Sequence, residues 1–190
     1  MSTATATERA TTATATETWV IDSYHSEIQF KVKHLVITTV TGKFSSFSGK
    51  VISENDDFSD AKVWFSADIN SISTGAEARD NHLKSPDFFD AEGHPQLTFE
   101  STGFEKRGND YIMKGDLTIR GVTKPIELDV EFLGTEKDPF YGKTKAGFEI
   151  NGKILRKDFG LQWDVLAESG GAVVSNEVKI HANVQLDKEA

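Results

Sequence analysis

"EVKIHANVQ" (177–185) decides the fold class. Val178, Ile180, Ala182 and Val184 fall on one side of an extended chain, and Glu177, Lys179, His181 and Asn183 on the other. A period of two is the mark of a strand with one dry face and one wet face. Moving outward, the same alternation recurs. "IELDVEF" (126–132) sets Ile126, Leu128, Val130 and Phe132 against Glu127, Asp129 and Glu131. "EIQFKVKHL" (27–35) sets Ile28, Phe30 and Val32 against Glu27, Gln29, Lys31 and Lys33. In "VWFSADI" (63–69), Val63, Phe65, Ala67 and Ile69 share a face. "QLTFES" (96–101) aligns Leu97 with Phe99, "YIMKGDLTI" (111–119) aligns Tyr111, Met113, Leu117 and Ile119, and "AGFEI" (146–150) aligns Ala146, Phe148 and Ile150.

Connections marked by Gly and Pro separate these segments: "RGND" (107–110), "RGVTKP" (120–125) and "KDPFYGK" (137–143). "TGKFSSFSGKVIS" (41–53) fits either face, so a bulge or bend is expected near Gly42 or Gly49. The pattern gives an all-β chain of about eight antiparallel strands. Their common apolar face needs cover, which a sheet supplies by curling into a barrel, with a two-sheet sandwich as the second choice. An eight-stranded barrel is either filled by side chains or just wide enough for one slim ligand. One short helix is expected in "STGAEARDNHLKS" (73–85), capped by Ser73 or Thr74, with Glu77 in its first turn and Pro86 as its stop. Arg79, His82 and Leu83 then share one side of it.

Composition narrows the function. The chain has 190 residues, a net charge of −9 and no Cys. The acidic balance argues against nucleic acid as a partner and equally against a polybasic membrane-surface anchor, and the missing thiols remove Cys-based catalysis and Cys-ligated zinc. The five His are dispersed without metal-ligand spacing. Residues 1–18 are almost wholly Thr and Ala, a tail too polar to order itself, which leaves 19–190 as one domain. The tail has neither a basic start nor an apolar run, so it is no secretory signal, and the expected location is the cytoplasm. No apolar run is long enough for a membrane-spanning helix.

Five stretches in this order, "WVIDSYHSEIQFKVKH", "RDNHLKSPDFFD", "PQLTFES", "LTIRGVTKPIELDV" and "RKDFGL", resemble the YceI family of polyisoprenoid-binding, lipocalin-like proteins. The resemblance runs from Trp19 to about Leu186. It implies an extended lipocalin-like barrel with an apolar tunnel, a bound isoprenoid, isoprenoid quinone or similar amphiphile, no other cofactor, and association as a homodimer. Many members are exported, and this chain departs from them in lacking the signal.

Candidate ligand contacts follow from both lines. Phe30, Val32, Phe65, Phe99 and Phe148 face inward by alternation, where they form either a packed core or a tunnel wall. Trp163 joins them as an expected contact. Arg79 and His82 are candidates for a polar headgroup, or else pin the helix through an ion pair from Arg79 to Asp80, Asp87 or Asp90. His34, on the face of Phe30 and Val32, is either a polar contact at an opening or a structural His. His25 is expected to fix a turn with Asp22 and Ser26, Phe88 and Phe89 to dock the connector on the barrel, and Arg156 to pair with Asp158 beside a bulge at Gly160. The leading expectation is a non-catalytic carrier or sequestering protein. The alternatives are a lipid hydrolase or isomerase with His34 or His82 as base, and a filled barrel acting as a stress-related interaction domain.

Overall fold

Alternation over most of the chain produces strands over most of the chain. A computed structural model describes residues 15–166, 168 and 171–189. Its strands are β1 (Glu17–Ile21), β2 (Glu27–His34), β3 (Thr38–Phe44), β4 (Phe47–Ser53), β5 (Lys62–Asp68), β6 (Ile72–Ser73), β7 (Gln96–Arg107), β8 (Asp110–Ile119), β9 (Val122–Lys137), β10 (Thr144–Leu155) and β11 (Val174–Lys188). All pairings are antiparallel. Eight strands close a ring in the order β1–β4–β5–β7–β8–β9–β10–β11, because β1 pairs with both β4 and β11. Closure satisfies both edges of the sheet and encloses the apolar face.

The remaining strands extend one end of the ring. β1 and β2 lie along the same edge of β11, with Ile21 opposite Leu186 and Ile28 opposite Ala182, so they form one long strand broken at 22–26. His25 Nδ1 lies 2.7 Å from Asp22 Oδ2 in that break, and Ser26 hydroxyl accepts from Gln185 N–H. β3 and β4 form a second broken strand. Its break falls at Ser45–Ser46, not at the glycines where a bend was expected. Gly42 has another role: the Phe30 ring lies over it, and a Cβ there would overlap that ring. Gly115 makes the same room for the Phe99 ring.

Two boundaries differ from the sequence reading. Glu17 and Thr18, assigned to the tail, belong to β1, and Glu17 forms an ion pair with Lys188 at the far end of the chain. Of the rest of the tail, Thr16 donates its hydroxyl to Glu54 at 3.3 Å, and the disorder expected for residues 1–14 lies outside the described set. The helix α1 spans Glu77–Lys84 with Ala76 at its N-cap, so neither Ser73 nor Thr74 caps it. Thr74 instead donates its hydroxyl and its backbone N–H to Asp80, at 2.5 and 2.8 Å. No residue of α1 is fully buried, so the helix gains its place from its neighbours rather than from an apolar face of its own.

Candidate binding cavity

The two ends of the barrel are built differently. At one end, the loop between β4 and β5 turns Phe58 into the interior. Asp60 fixes that loop by accepting from Ser53 Oγ at 2.6 Å, Glu54 N–H at 2.9 Å and Asn55 N–H at 3.2 Å. Phe58 is 1% exposed, adopts a left-handed φ of 59°, and meets the rings of Trp19, Phe132 and Phe148 at 5.1–5.3 Å between centroids. Tyr111 donates its hydroxyl to Asp57 carbonyl at 2.5 Å and locks the loop from the side. Four packed rings and a bonded loop make this end a stopper.

The other end carries α1 and the connector after it. His82 Nε2 lies 2.9 Å from Asp87 Oδ2, and its ring stands edge-on to Phe88 and Trp163 at 5.1 and 5.0 Å. Arg120 donates to the carbonyls of Phe88 and Gly160, tying the connector to the β8–β9 turn. Arg156 is 3% exposed and donates to four carbonyls: Leu161 at 2.6 Å, Trp163 at 2.8 Å, Ser175 at 3.0 Å and Val174 at 3.1 Å. Burial pushes the Arg156 guanidinium below its ordinary value, and Asp164 at 3.8 Å works in the opposite direction. The expected pairing of Arg156 with Asp158 does not form. The chain turns sharply through Arg156–Phe159, closed by Gly160 at φ 79°, and the guanidinium meets carbonyls of the segment after this turn and of the start of β11 instead of Asp158.

Between the two ends lies a cavity of about 240 Å³ whose wall exposes only apolar atoms. The interior is therefore not filled. Room for roughly eight groups of water size, at about 30 Å³ each, fits a slim chain. Phe30, Val32, Phe65, Phe99 and Phe148 line it, as do Leu83, Phe88 and Phe89 from the cap. Phe132 packs on Phe58 and Phe148 in the stopper instead. Phe58, Met113 and Leu161 also line the cavity.

The polar candidates stand apart from it. Arg79 is exposed and donates to the hydroxyl and carbonyl of Thr74 at 2.7 and 2.9 Å, so it holds the turn before α1 and forms no ion pair with Asp80, Asp87 or Asp90. His82 and Trp163 sit in the outer layer of the cap, packed against Phe88, which itself reaches the cavity. His34 ends β2 opposite Val174, which lines the cavity, but is not itself part of the wall. The cavity thus gathers the apolar candidates and leaves Arg79, His82, His34 and Trp163 outside its wall. Among the described residues no cluster of His, Asp or Glu has metal-binding geometry.

Known proteins share this fold. The family model for the YceI-like domain matches residues 19–186. A UPF0312 protein of Staphylococcus aureus is 36% identical over 167 residues, covering 88% of this chain and 95% of the relative. One from Staphylococcus epidermidis is 37% identical, covering 86% and 94%. Among solved structures, a YceI protein of Campylobacter jejuni superposes with a TM-score of 0.70 at 35% identity, covering 84% of this chain and 91% of that one. A polyisoprenoid-binding domain from Saccharophagus degradans shares the fold with a TM-score of 0.62 at 17% identity, covering 90% and 98%. With the family match running across nearly the whole closed barrel, the chain belongs to the YceI-like domain family.

Proposed function

We propose that the protein is a non-catalytic carrier or sequestering protein for a long-chain isoprenoid or a similar amphiphile. The observation that carries this reading is the carbon-only cavity wall between stopper and cap. A polar ligand would leave its hydrogen bonds unmade there, whereas an apolar tail loses only its contact with water. The polyisoprenoid-binding domain of similar fold supports the same class of ligand. Eight buried methylene-sized groups at about 0.8 kcal/mol each contribute about 6 kcal/mol before costs, on the order of tens of micromolar. The tail dominates affinity, so selectivity follows length and width of the chain rather than its headgroup.

Titration with prenols of increasing length tests this. Affinity should rise with each added isoprene unit until the cavity is full and then level off. A flat series, or one that tracks headgroup charge instead of tail length, would sink the proposal.

A further inference from the structure

The hairpin between β2 and β3 has a tip that contradicts both local sterics and burial. Its three residues are Leu35, Val36 and Ile37. Leu35 and Val36 take left-handed φ values of 50° and 65°, which are outliers for such side chains and positions where Asn and Gly are preferred. Val36 and Ile37 are 76% and 81% exposed. Val165 and Leu166 beside it are also exposed, and the two segments are tied together: Leu35 donates to Val173 carbonyl at 2.8 Å, and Val173 to Val165 carbonyl at 3.0 Å. This apolar end begins where the cavity wall stops, because Val174 lines the cavity and pairs with His34.

Behind the tip runs a row of like charges. Lys31 stands opposite Lys179, and Lys179 opposite Lys153, across β2, β11 and β10. Lys33 follows toward the tip. Like charges in directly opposed positions destabilise a sheet. Lys153 meets Glu177 at 3.5 Å, but no carboxylate lies within ion-pair distance of Lys31, Lys33 or Lys179 among the described residues. The end also carries the acidic Asp158 and Glu168, and Asp164, which pairs with Lys157 at 2.7 Å. At the stopper end, the exposed pair Phe140 and Tyr141 has no such row. Its hairpin is held by Asp138, whose carboxylate accepts from both backbone N–H groups.

We infer that the tip of the β2–β3 hairpin docks on an anionic lipid bilayer, inserting Leu35, Val36 and Ile37 at the headgroup boundary with Lys31, Lys33 and Lys179 against the lipid charge. Exposed apolar side chains beside unpaired cations have the chemistry of an interfacial anchor. The site deepens the carrier reading and rests on it: a protein that takes up a water-insoluble chain has to meet the surface that holds it.

Flotation of the full chain with vesicles tests this, using phosphatidylcholine alone and phosphatidylcholine with 30 mol% phosphatidylglycerol. The native protein should float with the anionic vesicles at least fivefold more than with the neutral ones, and less in high salt. The double variant Leu35→Asn, Val36→Gly keeps the turn in its preferred residues, so its melting temperature should match or exceed the native value while flotation falls at least tenfold. Lys31→Glu with Lys179→Glu should abolish the preference for anionic vesicles. Phe140→Ser with Tyr141→Ser should change nothing. A native chain that stays with the supernatant, or a Leu35→Asn, Val36→Gly variant that floats undiminished, overturns the inference. Binding of a short soluble prenol, measured without vesicles, separates the two claims. If it is absent while flotation holds, the carrier reading falls and the docking surface stands.

Discussion

The two ends of this barrel face the same problem and solve it with different residues. Both must cover the open rim of an apolar interior. The stopper does so with Phe58 among three further rings, pressed in by a loop whose polar groups are bonded within itself. The cap does so with a helix that buries no residue fully, a connector tied on by Arg120, and Arg156 spending its donors on carbonyls. Packed rings resist opening because every displacement loses dispersion contacts and exposes apolar area. The cap also buries rings, with Phe88 6% and Phe159 2% exposed, but its helix is attached through hydrogen bonds at the surface, where water can replace the partners, so it opens more readily. The lesson is that one end is closed by packed rings and the other in good part by replaceable hydrogen bonds, so the proposed carrier would open at the cap.

The largest expected effect breaks the stopper. Phe58→Ala should cost about 3–5 kcal/mol in chemical denaturation, the scale for a fully buried Phe. A loss below about 1 kcal/mol would mean that the other rings collapse over the gap and that the two ends do not differ in this way. Next comes the cap. Arg156→Leu leaves four carbonyls without their donor and should cost about 3 kcal/mol. Its signature is local: amides of the connector and of α1 should exchange hydrogen faster, while amides beside Phe58 follow global stability alone. Equal acceleration at both ends would erase the comparison.

A smaller effect belongs to neither end. In the break between β1 and β2, burial works against the Asp22 carboxylate, but His25, the Tyr24 N–H and Lys145 outweigh it and hold the group at about 2. Its folded value lies below its unfolded one, so its contribution is complete above about pH 4 and is lost as pH falls through 2. Asp22→Asn should therefore cost about 2 kcal/mol at neutral pH and close to nothing near pH 2. A penalty that stays constant across that range would show that packing, and not charge, is what the substitution removes.

Much of the barrel was legible because alternation is a direct consequence of a sheet with one dry face. Phe30, Phe65, Phe99 and Phe148 were placed inward by period alone, and all four line the cavity. The fold class followed from the same pattern, and the matching family and solved structures agree with it. What escaped reading are features made by distant partners. Phe58 lies in "ENDDFSDA", a polar loop without period, and its only signal is a lone ring among turn formers. The carbonyls that hold Arg156 come from Leu161, Trp163, Val174 and Ser175, brought together by a turn and a strand start that sequence spacing does not relate. Arg79 and His82 were correctly set on one helix, but their partners Thr74 and Asp87 depend on how the flanking turns fold back. Whether a barrel is filled is likewise a matter of a few side-chain volumes, since a core and a cavity wall share one hydropathy pattern.

Native mass spectrometry of the purified full chain, followed by organic extraction, tests the central claim most directly. An apolar cavity is costly to leave to water, so a long-chain amphiphile should accompany the protein and appear in the extract unaltered, at close to one per chain. The bare polypeptide mass, together with failure of prenols or isoprenoid quinones to bind afterwards, would contradict the account.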